Sequence, residues 1–319
     1  PQPRPVIHDG NETSSPNTCQ IRGIDGLNPK DMAIEVARNA GFTTCYTGPG
    51  SANVLGGTGI AFKTKPGETV YDIVIPGTEM MKMAFGENPK NVYGSRHVLP
   101  NTRMGVAAVL REALFNAKAY SDAKLKAEKE GKEPPKPDFK LEALVPVVRG
   151  EMKCRIHAHR ADDICTAIRI CKEFDLDFSI EHATEGYKIT DVLQKNNVTC
   201  VVGPHLWGPG KQEIHGLSLH TPAALHEAGI TVCLTADSSS QTQFLPATVG
   251  ILMVNGLDEQ AAFEGVTINP ARLLGVADKV GSIEVGKDAD LAVFSGHPFS
   301  SMSRCLMTVI NGVVCHRVS

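Results

Sequence analysis

The sequence predicts an α/β protein: a mostly parallel sheet of about seven strands, nearly enough to close an eight-stranded barrel, with a small antiparallel β-module after it. Short apolar runs alternate with helix-length amphipathic segments from residue 153 to residue 237. Such alternation marks β-α-β units, whose crossovers make successive strands parallel neighbours. Three of these runs end in chemically active side chains, His157, His182 and Asp237, and parallel strands place their carboxyl ends on one rim of the sheet. The tail differs: Asp290-Leu-Ala-Val-Phe and Cys305-Leu-Met-Thr-Val-Ile read as antiparallel strands, and Asn311-Gly312 is the dipeptide of a tight hairpin turn.

In chain order, residues 1–28 are polar and irregular and read as loop. Residues 30–40 space their apolar side chains for a helix, which Gly41 ends. Phe42-Thr-Thr-Cys-Tyr-Thr is a strand that runs into the glycine-rich residues 48–57. No helix opening with Lys-Ser/Thr follows, so this stretch is a structural or substrate-shaping loop and not a P-loop. Gly59-Ile-Ala-Phe-Lys and Met80-Met-Lys-Met-Ala-Phe are further strands, the second leading to an acid, Glu87. Residues 103–120 are an amphipathic helix that continues into a charge-rich, proline-terminated piece ending at Pro137. Acids and bases alternate there, so it reads as a solvated excursion and not a nucleic-acid patch.

Leu141-Glu-Ala-Leu-Val-Pro-Val-Val resumes helix before the strand Lys153-Cys-Arg-Ile-His157-Ala-His159. A helix links it to Phe178-Ser-Ile-Glu-His182. Residues 186–195 are helical, and Val198-Thr-Cys-Val-Val delivers Gly203-Pro-His205 to the same rim. After a helix at 221–228 comes the strand Ile230-Thr-Val-Cys-Leu-Thr-Ala-Asp237, then helical stretches at 245–256 and 258–274.

A chain of 319 residues, 42% hydrophobic and 21% charged, has the size and composition of an ordinary globular protein with an ample core. A net charge of −3 with no basic block gives no reason to expect nucleic acid as a partner. No apolar run is long enough to span a bilayer and the amino end has no apolar signal core, so a cytoplasmic place is expected. The nine cysteines contain no Cys-x-x-Cys pair, and Cys154, Cys200 and Cys233 sit inside apolar strands, as buried free thiols do.

One histidine at a strand end is ordinarily a hydrogen-bonded structural residue. Two on consecutive parallel strands, with a carboxylate closing a third, form a donor set suited to zinc or a similar divalent ion. Iron and manganese accept the same ligands. The rim loops that would choose a small-molecule substrate hold residues 48–57, Arg103, His205, Trp207 and Lys211.

The stretch Val280-Gly-Ser-Ile-Glu-Val-Gly-Lys-Asp-Ala-Asp290-Leu-Ala-Val-Phe, closed by Val309-Ile-Asn-Gly-Val-Val and preceded by Thr267-Ile-Asn-Pro-Ala-Arg-Leu-Leu-Gly, resembles the closing signature of the amidohydrolase superfamily. With the two histidines and Asp237 in the expected order, the resemblance spans nearly the whole chain and is nearest to the imidazolonepropionase-like and prolidase-like branch. It implies a TIM-like (β/α)₈ barrel over residues 1–278 and a portion of a small β-sandwich over 279–319. It also implies metal-dependent hydrolysis of C–N bonds other than ordinary peptide bonds, in cyclic amides, amidines or N-acyl compounds. By position, His157 and His182 match the metal ligands of the fifth and sixth strands, and Asp237 matches the eighth-strand acid that binds metal and takes a proton from water. His159 falls either on the substrate or in exchange with His157 as the ligand, while His205 and Arg103 are substrate-binding candidates from the rim loops and not from the resemblance. Glu87 matches the bridging position of the fourth strand, which other members fill with a carboxylated lysine; Lys82 is its rival.

The departure from the family pattern is at the start, where members carry half of the sandwich and a first strand ending in His-x-His. His8 stands alone. The expectation is that this first strand and the sandwich half that pairs with the tail lie outside these 319 residues, since strands such as Leu291-Ala-Val-Phe would otherwise leave an open edge. The alternative is a catalytically impaired barrel that binds a small metabolite. A homo-oligomer is compatible with either.

Overall fold

The computed structural model describes residues 9–208 and 210–318; His8 lies outside them. The chain enters through a loop whose Asn17 and Arg22 bridge to Leu55 and Thr58, then forms helix α1 (Met32–Asn39), capped by the Asp31 side chain. Strands β1 (Thr44–Thr47), β2 (Leu55–Lys63) and β3 (Met80–Ala84) follow, with helices α2 (Glu87–Gly94), α3 (Arg103–Glu130) and α4 (Phe139–Val148) behind them. Strict alternation comes next: β4 (Cys154–Ala158), α5 (Ala161–Glu173), β5 (Phe178–His182), α6 (Thr190–Lys195), β6 (Thr199–Val202), α7 (Thr221–Glu227) and β7 (Val232–Leu234). Helices α8 (Leu245–Val254), α9 (Glu259–Val266) and α10 (Ile268–Leu273) lead to β8 (Leu291–Phe294), β9 (Cys305–Ile310) and β10 (Val313–Arg317).

The first seven strands form one sheet in sequence order. From β3 to β7 every pairing is parallel, whereas β1–β2 and β2–β3 are antiparallel. The sheet curls, so that β1 and the segment leaving β7, at its two ends, both line one interior cavity. The buried faces of β3–β7 are Met, Ile, Val, Leu and Cys packed against α3, α5 and the later helices, as strands covered by helices require. All nine cysteines are free thiols.

The charge-rich stretch is largely exposed, as expected, and stays helical to Gly131, whose φ of +61° provides the left-handed stop, because Lys124-Leu-Lys-Ala-Glu-Lys-Glu are strong helix formers. It is tied back: Lys124 Nζ reaches both Glu142 oxygens on α4 at 2.7 and 2.8 Å, and Ala127 is buried. The single helix expected over 258–274 breaks at Thr267, since Pro270 has no N–H to offer the carbonyl four residues back. Finally, Glu87 does not end a strand. Gly86, at φ +85°, turns the chain out of β3 and Glu87 opens α2.

The tail is a separate antiparallel sheet in the order β10-β9-β8, with Asn311 and Gly312 both at positive φ in the β9–β10 turn. A buried ammonium joins it to the barrel. Lys63, at the end of β2, reaches Asp288 at 2.9 Å and Asp290 at 2.6 Å, while Asp290 also accepts the Asn311 N–H at 2.9 Å. Lys63→Ala leaves the buried Asp290 carboxylate without its partner and is expected to cost about 3–5 kcal/mol, measured as a shift in chemical denaturation.

Candidate functional site

The carboxyl ends of β4 and β5 carry the site. His157 and His159 alternate along β4 and its exit, so both face inward. On β5 the register sets Glu181 beside His157 and His182 beside Ala158. Strict alternation would therefore turn His182 away from the interior. It does not, because His182 takes φ +70° and Ala183 φ +45°, and this left-handed step lets consecutive residues Glu181 and His182 line the same cavity. Asp237, three residues beyond β7, is likewise left-handed at φ +50°. Residues held in this sparsely populated region mark positions where the surroundings dictate the conformation.

The three imidazoles stand at ring-centroid separations of 4.4–4.7 Å, and each offers a donor atom within 4.8 Å of the other two. His182 Nδ1 lies 2.6 Å from the Gly203 carbonyl, which fixes the proton there and leaves Nε2 free as an acceptor. His159 Nδ1 is 2.7 Å from Thr184 Oγ1. His157 Nδ1 is buried with no hydrogen-bond partner among the described residues. Burial holds the pKa of all three below the ordinary imidazole value; for His157 and His159 the neighbouring imidazoles add to this. Neutral rings whose donor atoms converge are what a divalent cation requires of its ligands, so this donor set fits one.

Below the histidines is a charged floor. Glu181 receives both Lys82 of β3 and Arg155 of β4, and Arg155 stacks 4.0 Å from the Tyr46 ring centroid. Burial pushes the Glu181 carboxyl up, but the Arg155 and Lys82 charges outweigh it and hold the group ionised well below the carboxylate range. These residues, with Tyr46, Gly48, Gly50, His182, Thr235 and Asp237, line a cavity of about 510 Å³. Residues 48–51 of the glycine-rich loop form part of its wall.

The remaining residues singled out from the sequence separate. Lys82, not Glu87, points into the cavity; Glu87 is not among the residues whose donor atoms cluster with the histidines, and its backbone N–H donates to Glu213 Oε2 at 2.8 Å. Arg103 opens α3, where Asp163 holds its Nε at 3.0 Å. His205 is buried with Nε2 unpartnered among the described residues, and burial lowers its pKa to about 4. Asp237 is exposed at the rim and its charge bears on His182. Sequence reading missed Glu213. Its carboxylate is buried 3.7 Å from His157 Nε2 and 3.6 Å from His159 Nε2, yet it lies in a single 3-10 turn, Gln212–Ile214, between β6 and α7, with no periodic pattern to mark it.

Gly203 is the most constrained glycine of the site: at φ +140°, a Cβ on it would sit 1.9 Å from the Thr235 carbonyl oxygen. Gly203→Ala must therefore move the carbonyl that holds His182. It is expected to cost at least about 3 kcal/mol and to weaken metal retention together with stability, read by thermal melting with and without added zinc.

Comparison with known proteins gives a consistent picture. The amidohydrolase family profile matches residues 218–315. The crystal structure of an amidohydrolase from Thermotoga maritima MSB8 superposes with a TM-score of 0.94 at 42% identity, over 99% of this chain and 83% of that one. An amidohydrolase of Hapsidospora irregularis is 29% identical over 95% of this chain, and the chain spans only 33% of that protein. Imidazolonepropionase of Geobacillus kaustophilus is 39% identical over 22% of this chain and 18% of its own length. Among the described residues no helix is long and apolar enough to cross a membrane.

Proposed function

Since the chain belongs to the amidohydrolase family, we propose that it is a metal-dependent hydrolase of small molecules, acting on C–N bonds other than ordinary peptide bonds. Cyclic amides, amidines and N-acyl compounds are the substrate classes. The observation that carries this reading is the packing of His157, His159 and His182 at the ends of adjacent parallel strands, with Asp237 and the cavity beside them.

His157, His159 and His182 would hold a divalent ion, zinc first, with iron or manganese accepted by the same donors. When bound, the ion supplies Lewis acidity, lowering the pKa of water to about 7 and polarising the scissile carbonyl or amidine carbon. Asp237 then accepts a proton from the attacking water on its carboxylate and returns it to the departing nitrogen. The Gly203 carbonyl keeps the His182 ring oriented throughout. Tyr46, Lys82 and Arg155 present one aromatic face and two cations to the substrate end of the cavity, with Glu181 cancelling one of those charges. A substrate with a polar or anionic group beyond its scissile bond suits that lining.

The test is elemental analysis of the purified protein, followed by screening cyclic amides and N-acyl amino acids for hydrolysis. One or two divalent ions per chain, with turnover that is lost on chelation and restored by zinc or manganese, is the expected result. A chain that takes up no metal on reconstitution would overturn the reading and leave a barrel that binds metabolites without acting on them.

A further inference from the structure

Resting on the metal reading above, we propose that Glu213 is an additional protein ligand of the cation, delivered by the loop after β6, and that Lys211 fills the cation's place until it binds. Glu213 is fully buried, although Gln212 and His215 around it are exposed. Its Oε1 lies 3.6 and 3.7 Å from the two Nε2 atoms of His159 and His157. Donors about 2.1 Å from a tetrahedral zinc stand about 3.4 Å from one another. The carboxylate is thus placed within a few tenths of an ångström of where an ion shared with these two imidazoles would draw it, while it stands outside the 4.8 Å donor cluster that His182 completes and would close on it only as the ion binds.

The receiving backbone is shaped for this carboxylate. Oε2 accepts the Glu87 N–H at 2.8 Å, and Gly86 leaves a space in which a Cβ would lie 2.5 Å from the same oxygen. One oxygen is therefore anchored and the other turned toward the imidazoles. The Lys211 ammonium sits among acceptors only: Glu213 Oε1 at 2.8 Å, Asn88 Oδ1 at 3.1 Å and His159 Nε2 at 3.5 Å. Asn88 Nδ2 meets His157 Nε2 at 3.3 Å and Ser51 Oγ at 2.7 Å. An ammonium ringed by carboxylate, carbonyl and imidazole acceptors is a monovalent tenant of a cation site. Lysine suits that place because its four-carbon stem can swing the charge into solvent without moving the backbone, and Lys211 is already part-exposed at 26% of its side chain.

The experiment is zinc titration of the chelator-stripped protein against a chromogenic chelator, with metal counted by elemental analysis, for wild type, Glu213→Gln, Lys211→Met and His182→Asn. Glu213→Gln is expected to weaken zinc by roughly 10- to 100-fold. Lys211→Met is expected to act in the opposite direction, tightening zinc, and to give a larger zinc-induced rise in melting temperature than wild type, because its buried carboxylate waits unpaired. Zinc affinity equal to wild type in both variants would overturn the inference and make the pair structural. If Glu213→Gln fails to fold, Lys211→Met decides alone, since a purely structural lysine predicts no gain in affinity. Failure of the metal reading itself looks different: wild type and every variant would bind no zinc.

Discussion

Asp237→Asn is expected to lower kcat by about 10³-fold or more while the protein keeps its fold and its metal, the loss typical of removing a general acid–base group with most ligands intact. Asparagine is the informative substitution. The position needs φ +50°, which asparagine tolerates as well as aspartate whereas alanine does not. The side chain is exposed at the rim, so exchanging it disturbs no packing. The measurement pairs turnover with melting temperature and metal content. Retained turnover would remove Asp237 from the proton path, and loss of metal together with turnover would make it chiefly a ligand.

His182→Asn is expected to weaken zinc retention by roughly 100-fold and to abolish turnover at ordinary metal concentrations. Asparagine again accepts the left-handed backbone, here φ +70°, so the consequence reads on the imidazole rather than on strain. Some stability should go as well, about 1 kcal/mol for the hydrogen bond from Nδ1 to the Gly203 carbonyl. Equilibrium dialysis against zinc reports the first effect and denaturation the second. Metal occupancy equal to wild type would mean that His157 and His159 hold the ion without it.

Much of the architecture was legible because its signals are local. Apolar runs of strand length separated by amphipathic helices give β4 to β7 in order, and Asn311-Gly312 marks its own hairpin. The parallel rule then brings His157 and His182 together without any knowledge of packing. What was not legible depends on single backbone angles and on loops. The turn at Gly86 that takes Glu87 into a helix leaves no periodic trace. Nor does the left-handed step at His182 that sets Glu181 and His182 on one wall. In the sequence Lys82 is only a rival for the bridging position and Arg155 looks like an ordinary strand cation; their common partner Glu181 appears only once three strands are aligned. Glu213 sits in a stretch without alternation, so nothing in the order of residues announces that it folds back over two histidines.

The Lys63–Asp290 pair bears on how chains of this kind are recognised. The stretch matched by the family profile, residues 218–315, contains Asp290 and Asp237 but neither His157, His159 nor His182. Within it, Asp288-Ala-Asp290 serves as a rivet: two carboxylates grip one lysine and fasten the small sheet to the barrel. Selection on such a joint follows from keeping the molecule assembled, whatever its barrel does. A descendant that had lost its imidazoles would keep the rivet and still be grouped with its working kin. For members of this family, the presence of the fastening identifies the scaffold, and the strand-end histidines have to be read separately to identify the chemistry.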